Sequence, residues 1–178
     1  MKIIKTLALL VLAALALLLI YAATRPNEFV VERSTRIDAP PEKIFPLIAD
    51  VKAFNTWNPW LRKEPSAQLT YSGASTSGPG ASYSWVGKES GEGSMTLTEQ
   101  TPSSQVVYKL DFMKPFEAHN RALFTLTPDG TGTRVSWKMD GPAPYVTKLM
   151  GVLFDMDKMV GDDFAAGLAN LKATAESK

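Results

Sequence analysis

Residues 145–175 read YVTKLMGVLFDMDKMVGDDFAAGLANLKATA. Leu149, Leu153, Met156, Val160, Phe164, Leu168 and Leu171 recur in steps of three or four, the spacing of one face of an α-helix. The pattern predicts one long helix from about Tyr145 to Ala175. A helix with an apolar stripe of that length has to cover an apolar surface, and the rest of the chain has to supply it.

Upstream, the period changes from helical to alternating. QVVYKLDF (105–112) places Val106, Tyr108, Leu110 and Phe112 on one face and Val107, Lys109 and Asp111 on the other. TRVSWKM (133–139) does the same, with Val135, Trp137 and Met139 opposed to Arg134, Ser136 and Lys138. FVVERSTRI (29–37), AQLTYSG (67–73), ASYSWVG (81–87), SMTLTEQ (94–100) and EAHNRALFTLT (117–127) also read as strands. KESGEG and TPDGTGT are hairpin connections, with Gly91, Gly93, Gly130 and Gly132 as turn residues. Between the first two strands, IDAPPEKIFPLIADV predicts a short helix opened by Pro40 and Pro41 and limited by Pro46, and a further turn is expected near Val51–Asn55. The expected fold is α+β: a strongly twisted antiparallel sheet wrapped around a long C-terminal helix.

The N-terminus stands apart. Thr6 to Ala23 is an eighteen-residue run without a charge, which at about 1.5 Å per residue approaches the roughly 30 Å core of a bilayer. A cleaved signal peptide and a retained anchor compete for it. The run is longer than the about 7–15 residues usual for a signal core, and Tyr21 stands where a small residue is wanted before a cleavage site. These features favour a single-pass membrane anchor over 1–24, preceding one domain over 25–178. Lys2 and Lys5 precede the span and only Arg25 closely follows it, which leaves the N-terminus in the cytoplasm. In a bacterial cell the domain is then periplasmic and anchored in the inner membrane; the alternative is a secreted or periplasmic protein after cleavage.

Composition narrows the chemistry. Setting aside Lys2 and Lys5 from the 19 basic residues leaves 17 against 18 acidic ones, a net charge of −1 for the domain, with no basic stripe. Nucleic acid is therefore not an expected partner, because its binding starts with phosphate neutralisation. With no cysteine and the single histidine His119, a thiolate or multi-histidine metal site is excluded. Asp155, Asp157, Asp162 and Asp163 spread over several helix faces rather than converging. No phosphate-cradling glycine loop and no G-x-S-x-G elbow is present, so neither a metal, a cofactor nor a catalytic residue is assigned. His119 reads either as a general base or as a surface strand residue.

Several strings, in this order, resemble the START/Bet v 1-like (SRPBCC) superfamily of polyketide cyclase/dehydrase and lipid-transport proteins. They are IDAPPEKIFPLIADVKAFNTWNPW, the WVGKESGEG and TPDGTGTRVSW hairpins, and GDDFAAGLANLK. The resemblance spans about residues 28–176 and implies a helix-grip fold with a hydrophobic cavity between sheet and C-terminal helix. It does not fix function, because such folds host carriers, receptors and enzymes. Cavity-lining candidates follow from the strand faces and the helix stripe: Tyr83, Trp85, Met95 and Leu97; Tyr108, Phe112, Asn120 and Phe124; Trp137 and Met139; and Leu153, Met156 and Val160. Each reads equally as plain core, with Tyr83, Tyr108 and Asn120 as possible polar contacts. FNTWNPW (54–60) reads as a packed corner whose Trp57 or Trp60 could border the cavity mouth.

The resulting expectation is a membrane-anchored, non-catalytic binding or transport protein whose partner is a hydrophobic small molecule or lipid. A cyclase/dehydratase-like enzyme and an envelope protein-interaction module with a vestigial cavity are the alternatives. Oligomeric state is not legible.

Overall fold

A computed structural model describes residues 2–177, apart from the side chains of Lys2 and Met156. Helix α1 (Lys2–Thr24) precedes strand β1 (Glu28–Ile37). Three short helices follow: α2 (Pro41–Ala49), α3 (Val51–Trp57) and α4 (Pro59–Lys63). Then come β2 (Gln68–Ser72), β3 (Ser82–Val86), β4 (Glu92–Thr101), β5 (Gln105–Lys114), β6 (Ala118–Asp129) and β7 (Gly132–Pro142). Helices α5 (Tyr145–Leu153) and α6 (Met156–Glu176) close the chain.

All seven strands form one antiparallel sheet in the order β1-β7-β6-β5-β4-β3-β2. Six are joined in sequence by local connections, and β1 pairs with the last strand across the whole chain. Two irregularities in the β4–β5 register, at Glu92/Gly93 and Leu97/Glu99, locally increase the twist that turns the sheet around a helix. Gly93 and Gly132 are strand residues rather than turn residues. Gly93 lies under the Trp85 ring, where a Cβ would come within 2.3 Å of Cζ2. Gly91 and Gly130 do take left-handed turn conformations, at φ +70° and +64°.

The short helices are set by their caps. Asp50 accepts from the N–H groups of Lys52 and Ala53 (2.8 and 2.9 Å) and starts α3. Asn58 accepts from Trp60 N–H at 3.0 Å and starts α4, with Pro59 in its first position. The FNTWNPW stretch is thus two helices meeting at Asn58, which hides any single period.

Residues 145–175 do not form one helix. Phe154 is extended (φ −131°, ψ 141°), and Asp155 caps a new helix by accepting from Lys158 N–H at 2.9 Å. An aspartate side chain bonding its own backbone offers the chain an alternative to continuing the helix. The consequence for packing is large. Phe164, Leu168, Leu171 and Ala175 of α6 enter the core, whereas none of the described residues of α5 is buried. Instead α5 packs against α1, and Tyr145 donates to the Leu19 carbonyl at 2.9 Å.

α6 lies close on the sheet because two of its residues lack side chains. A Cβ at Gly167 would sit 2.7 Å from Trp137 Cζ3, and one at Gly161 would overlap the Arg33 guanidinium. Arg33 in turn grips Asp157 with both terminal nitrogens (3.3 and 2.9 Å), a bond that raises the arginine above its ordinary value and tethers the first turn of α6 to β1. The core between these layers is aromatic. Phe54 packs at ring distances of 4.6 Å from Trp57, 6.0 Å from Tyr108 and 6.1 Å from Phe124.

Candidate functional site: two adjoining cavities

A cavity of about 330 Å³ lies on the concave face of the sheet, flanked by α3, α4 and α6. Aromatic and aliphatic side chains dominate its lining. Trp60, Tyr83, Trp85, Met95, Phe112, Trp137, Met139 and Val160 are expected residues that the structure brings together here. Phe54, Asn58, Leu61, Glu89, Ser90, Leu110, Ala122 and Phe164 line it without having been assigned to a cavity from sequence. Leu110 and Phe164 were legible as inward-facing apolar positions, whereas Asn58, Leu61, Glu89 and Ser90 carry no periodic signal.

A larger cleft of about 1250 Å³ adjoins it, between the Arg25–Asn27 link, the ends of β1, β6 and β7, and α5. Asn120 and Leu153 line this cleft, and Phe112, Met139 and Val160 line both spaces. Leu153 is 56 % exposed, and Val146, Met150 and Phe154 are further exposed apolar residues of the same region. The Met156 side chain lies outside the described residues.

Four candidates line neither space. Trp57, Leu97, Tyr108 and Phe124 are fully buried in the aromatic core. Trp57 donates its indole N–H to the Leu47 carbonyl at 2.8 Å, so it pins α3 to α2 and does not border a mouth. Trp60 does reach the inner cavity, standing edge-on to Trp137 (5.7 Å, 88°). Tyr108 donates to the Ile48 carbonyl at 2.6 Å, a structural use of its hydroxyl. Tyr83 is likewise engaged, accepting from Asn58 Nδ2 at 3.4 Å and pointing at Met95 Sδ at 4.0 Å. Burial pushes both phenols up from their ordinary range, so both stay neutral.

The rim of the inner cavity is held by Glu64, just past α4. Its carboxylate accepts from the backbone N–H groups of Lys88 (2.6 Å), Glu89 (3.1 Å) and Ser90 (2.8 Å), and from the Ser90 hydroxyl (2.7 Å). The Ser90 hydroxyl and these N–H groups outweigh desolvation and hold Glu64 at about 2, below its ordinary 4.5. This internal carboxylate occupies the 87–91 turn that joins β3 to β4. Nothing in LRKEPS distinguishes Glu64 from a surface residue.

His119 lies at the outer cleft, 2.6 Å from Asp111 through Nδ1 and 3.3 Å from Glu117 through Nε2. The Asp111 contact raises its pKa above 6.5, favouring the imidazolium form. The side chain is exposed, which agrees with its reading as a surface strand residue. Among the described residues no group of three His, Asp or Glu side chains is arranged to hold a metal ion.

A long C-terminal helix gripped by a seven-stranded antiparallel sheet, with a cavity between them, defines the helix-grip class of Bet v 1-like proteins. Residues 28–176 match the polyketide cyclase / dehydrase and lipid transport family, and the chain belongs to it. Solved structures carry the same fold. A Chromobacterium violaceum protein is 18% identical with a TM-score of 0.60, covering 86% of this chain and 100% of its own. A Thermobifida fusca protein is 25% identical with a TM-score of 0.62, covering 82% and 92%. Ara h 8.0201 is 15% identical with a TM-score of 0.59, covering 85% and 99%. None of the curated proteins matches the chain. The family suggests a ligand-binding domain for hydrophobic small molecules.

Proposed function

We propose that the chain is a membrane-tethered, non-catalytic binding or transport protein for a hydrophobic small molecule or lipid, held between the sheet and α6. The inner cavity carries this reading. Its volume of about 330 Å³ and its aromatic lining suit a small apolar ligand. Binding is favoured over turnover because Tyr83, the phenol that lines the inner cavity, has its hydroxyl engaged by Asn58 and is kept neutral by burial, while Tyr108 lies outside both spaces.

The tether is residues 1–24 and the binding domain residues 25–178. Ile3–Thr24 has a mean hydropathy of 2.8 over its most apolar stretch, and none of that stretch is buried. The Tyr145–Leu19 bond and the 2.6 Å contact from Lys148 to Asn27 seat the domain against the end of that helix. Such a short link raises the effective concentration of any ligand partitioned in the bilayer. The two lysines before the span favour an inner-membrane protein with a periplasmic domain.

Native mass spectrometry of the full-length chain released from nanodiscs tests the binding reading. A co-purifying apolar molecule is expected. Release of the bare chain alone, with no uptake of added hydrophobic probes, overturns it.

A further inference from the structure

We propose that α5 is an interfacial helix: its exposed apolar face lies in the surface of the bilayer that α1 crosses, between headgroups and acyl chains, and seats the domain on the lipid. The inference rests on the membrane tether proposed above. It goes beyond it, because a tether alone limits distance and leaves orientation free.

Outside α1, the large apolar side chains that stand exposed among the described residues are not scattered. Tyr71 and Val86 are on β2 and β3, and all the others lie on or beside segments that line the outer cleft. Tyr145, Val146, Met150, Leu153 and Phe154 form the densest group. Val146, Met150 and Leu153 step by four and three, which puts them on one face of α5. Thr147, Lys148 and Gly151 occupy the other side and line the outer cleft. A contiguous apolar patch on a surface helix marks a place where something docks.

The position of α5 identifies the partner as lipid. Ile3–Thr24 is 22 residues long, which at about 1.5 Å per residue fills the roughly 30 Å hydrocarbon core. Leu19 stands five residues before the end of that span, so its carbonyl lies about 8 Å inside the end of the helix. Tyr145, the first residue of α5, donates to this carbonyl at 2.9 Å. α5 packs on α1, and Ala22 of α1 is fully buried. With α1 across the bilayer, α5 therefore begins at the membrane boundary instead of standing clear in water. An interfacial helix buries its apolar face about 5–10 Å into that boundary, and tyrosine is enriched at the same level. A soluble partner would have to displace lipid to reach this face.

The attraction is apolar rather than electrostatic. Lys148 is the one charged residue of α5, and it is held by Asn27 Oδ1 at 2.6 Å. Asp155, Asp157 and Lys158 follow, so the segment presents no basic cluster to anionic lipid.

The chain has no cysteine, so single sites can be labelled to test this. The full-length chain is placed in phosphatidylcholine vesicles with an NBD fluorophore at Val146→Cys, Met150→Cys or Phe154→Cys. Leu12→Cys within the span and Val86→Cys on β3 are the references. Lipids brominated near the head end or the tail end of the acyl chain quench each label according to its depth. At all three α5 sites the emission is expected to shift to the blue and to be quenched, more by head-end bromine. Leu12→Cys is quenched more by tail-end bromine, and Val86→Cys by neither. Because the contact is apolar, added phosphatidylglycerol or salt leaves the α5 quenching unchanged. Adding Phe154→Asp to the Val146→Cys chain lowers quenching at Val146, whereas the same substitution leaves Leu12→Cys as it was. All the α5 sites are exposed, so these substitutions disturb the fold little.

Quenching at Leu12→Cys with α5 labels as unquenched as Val86→Cys overturns the inference and leaves the tether standing. A blue shift at α5 without quenching also overturns it, because protein and not lipid then covers the helix. Quenching at α5 that disappears in salt overturns the apolar contact. Loss of quenching at Leu12→Cys together with the α5 sites removes the tether and the inference alike.

Discussion

Glu64 keeps its charge at 7 % exposure because four donors converge on it from one turn. Its pKa is depressed from 4.5 to about 2, so its stabilising effect is fully present above 4.5 and disappears as the pH falls to about 2. Glu64→Gln presents an NH₂ group to donors that need an acceptor. Urea denaturation is expected to show a variant less stable than the parent at pH 7, with the gap closing towards pH 2. A second residue-scale prediction concerns His119, whose hydrogen bond to Asp111 raises its pKa above 6.5. That contact stabilises the fold below pH 6.5 and is lost as the pH rises through the raised value. In an NMR titration, Asp111→Asn is expected to move the His119 midpoint back down towards 6.5. An unchanged midpoint would show that Asp111 is not the cause.

At the scale of elements, packing depends on how closely α6 approaches the sheet. Alanine normally favours a helix over glycine by about 1 kcal/mol, but at Gly167 the added methyl meets Trp137 and Pro59 at 2.7 and 3.1 Å. Overpacking of about 1–3 kcal/mol is expected to win, so Gly167→Ala lowers the unfolding free energy measured by chemical denaturation. The strands were legible because their two-residue alternation survives in the sequence: the inner rows at Val106–Phe112 and Val135–Met139 follow the pattern of QVVYKLDF and TRVSWKM. The C-terminal segment was legible as helix over both α5 and α6, but not the break between them. Its apolar spacing runs unbroken through Phe154 and Asp155, while the break depends on one aspartate capping Lys158 rather than on any proline or glycine at the junction. The candidate site was legible by face but not by depth. Tyr108 and Phe124 share a strand face with cavity residues, yet Phe54 from α3 packs against both. Contacts from so distant a segment leave no trace in strand periodicity.

At the scale of the whole molecule, α1 and α5 form a pair outside the core, joined through Tyr145 and Leu19. If residues 1–24 are retained, the intact mass of the mature protein includes them and the protein stays with the membrane pellet after alkaline carbonate extraction. A mature chain beginning near Arg25 and released to the soluble fraction would instead show cleavage. Tyr145→Phe removes one hydrogen bond of the pair and is expected to leave membrane retention unchanged, because retention rests on the apolar length of α1.

The clasp at Glu64 also bears on time. It fastens α4, which brings Trp60 and Leu61 to the inner cavity, to the turn that brings Glu89 and Ser90. Both sides of that rim must part together for a bulky guest to cross it there. Loosening the clasp changes the barrier to crossing more than the bound state beyond it. Glu64→Gln is therefore expected to speed association and dissociation of a hydrophobic probe by similar factors, with the equilibrium constant nearly unmoved. Stopped-flow fluorescence would read this directly. A change confined to dissociation would place the carboxylate among the contacts of the bound state instead of at its door.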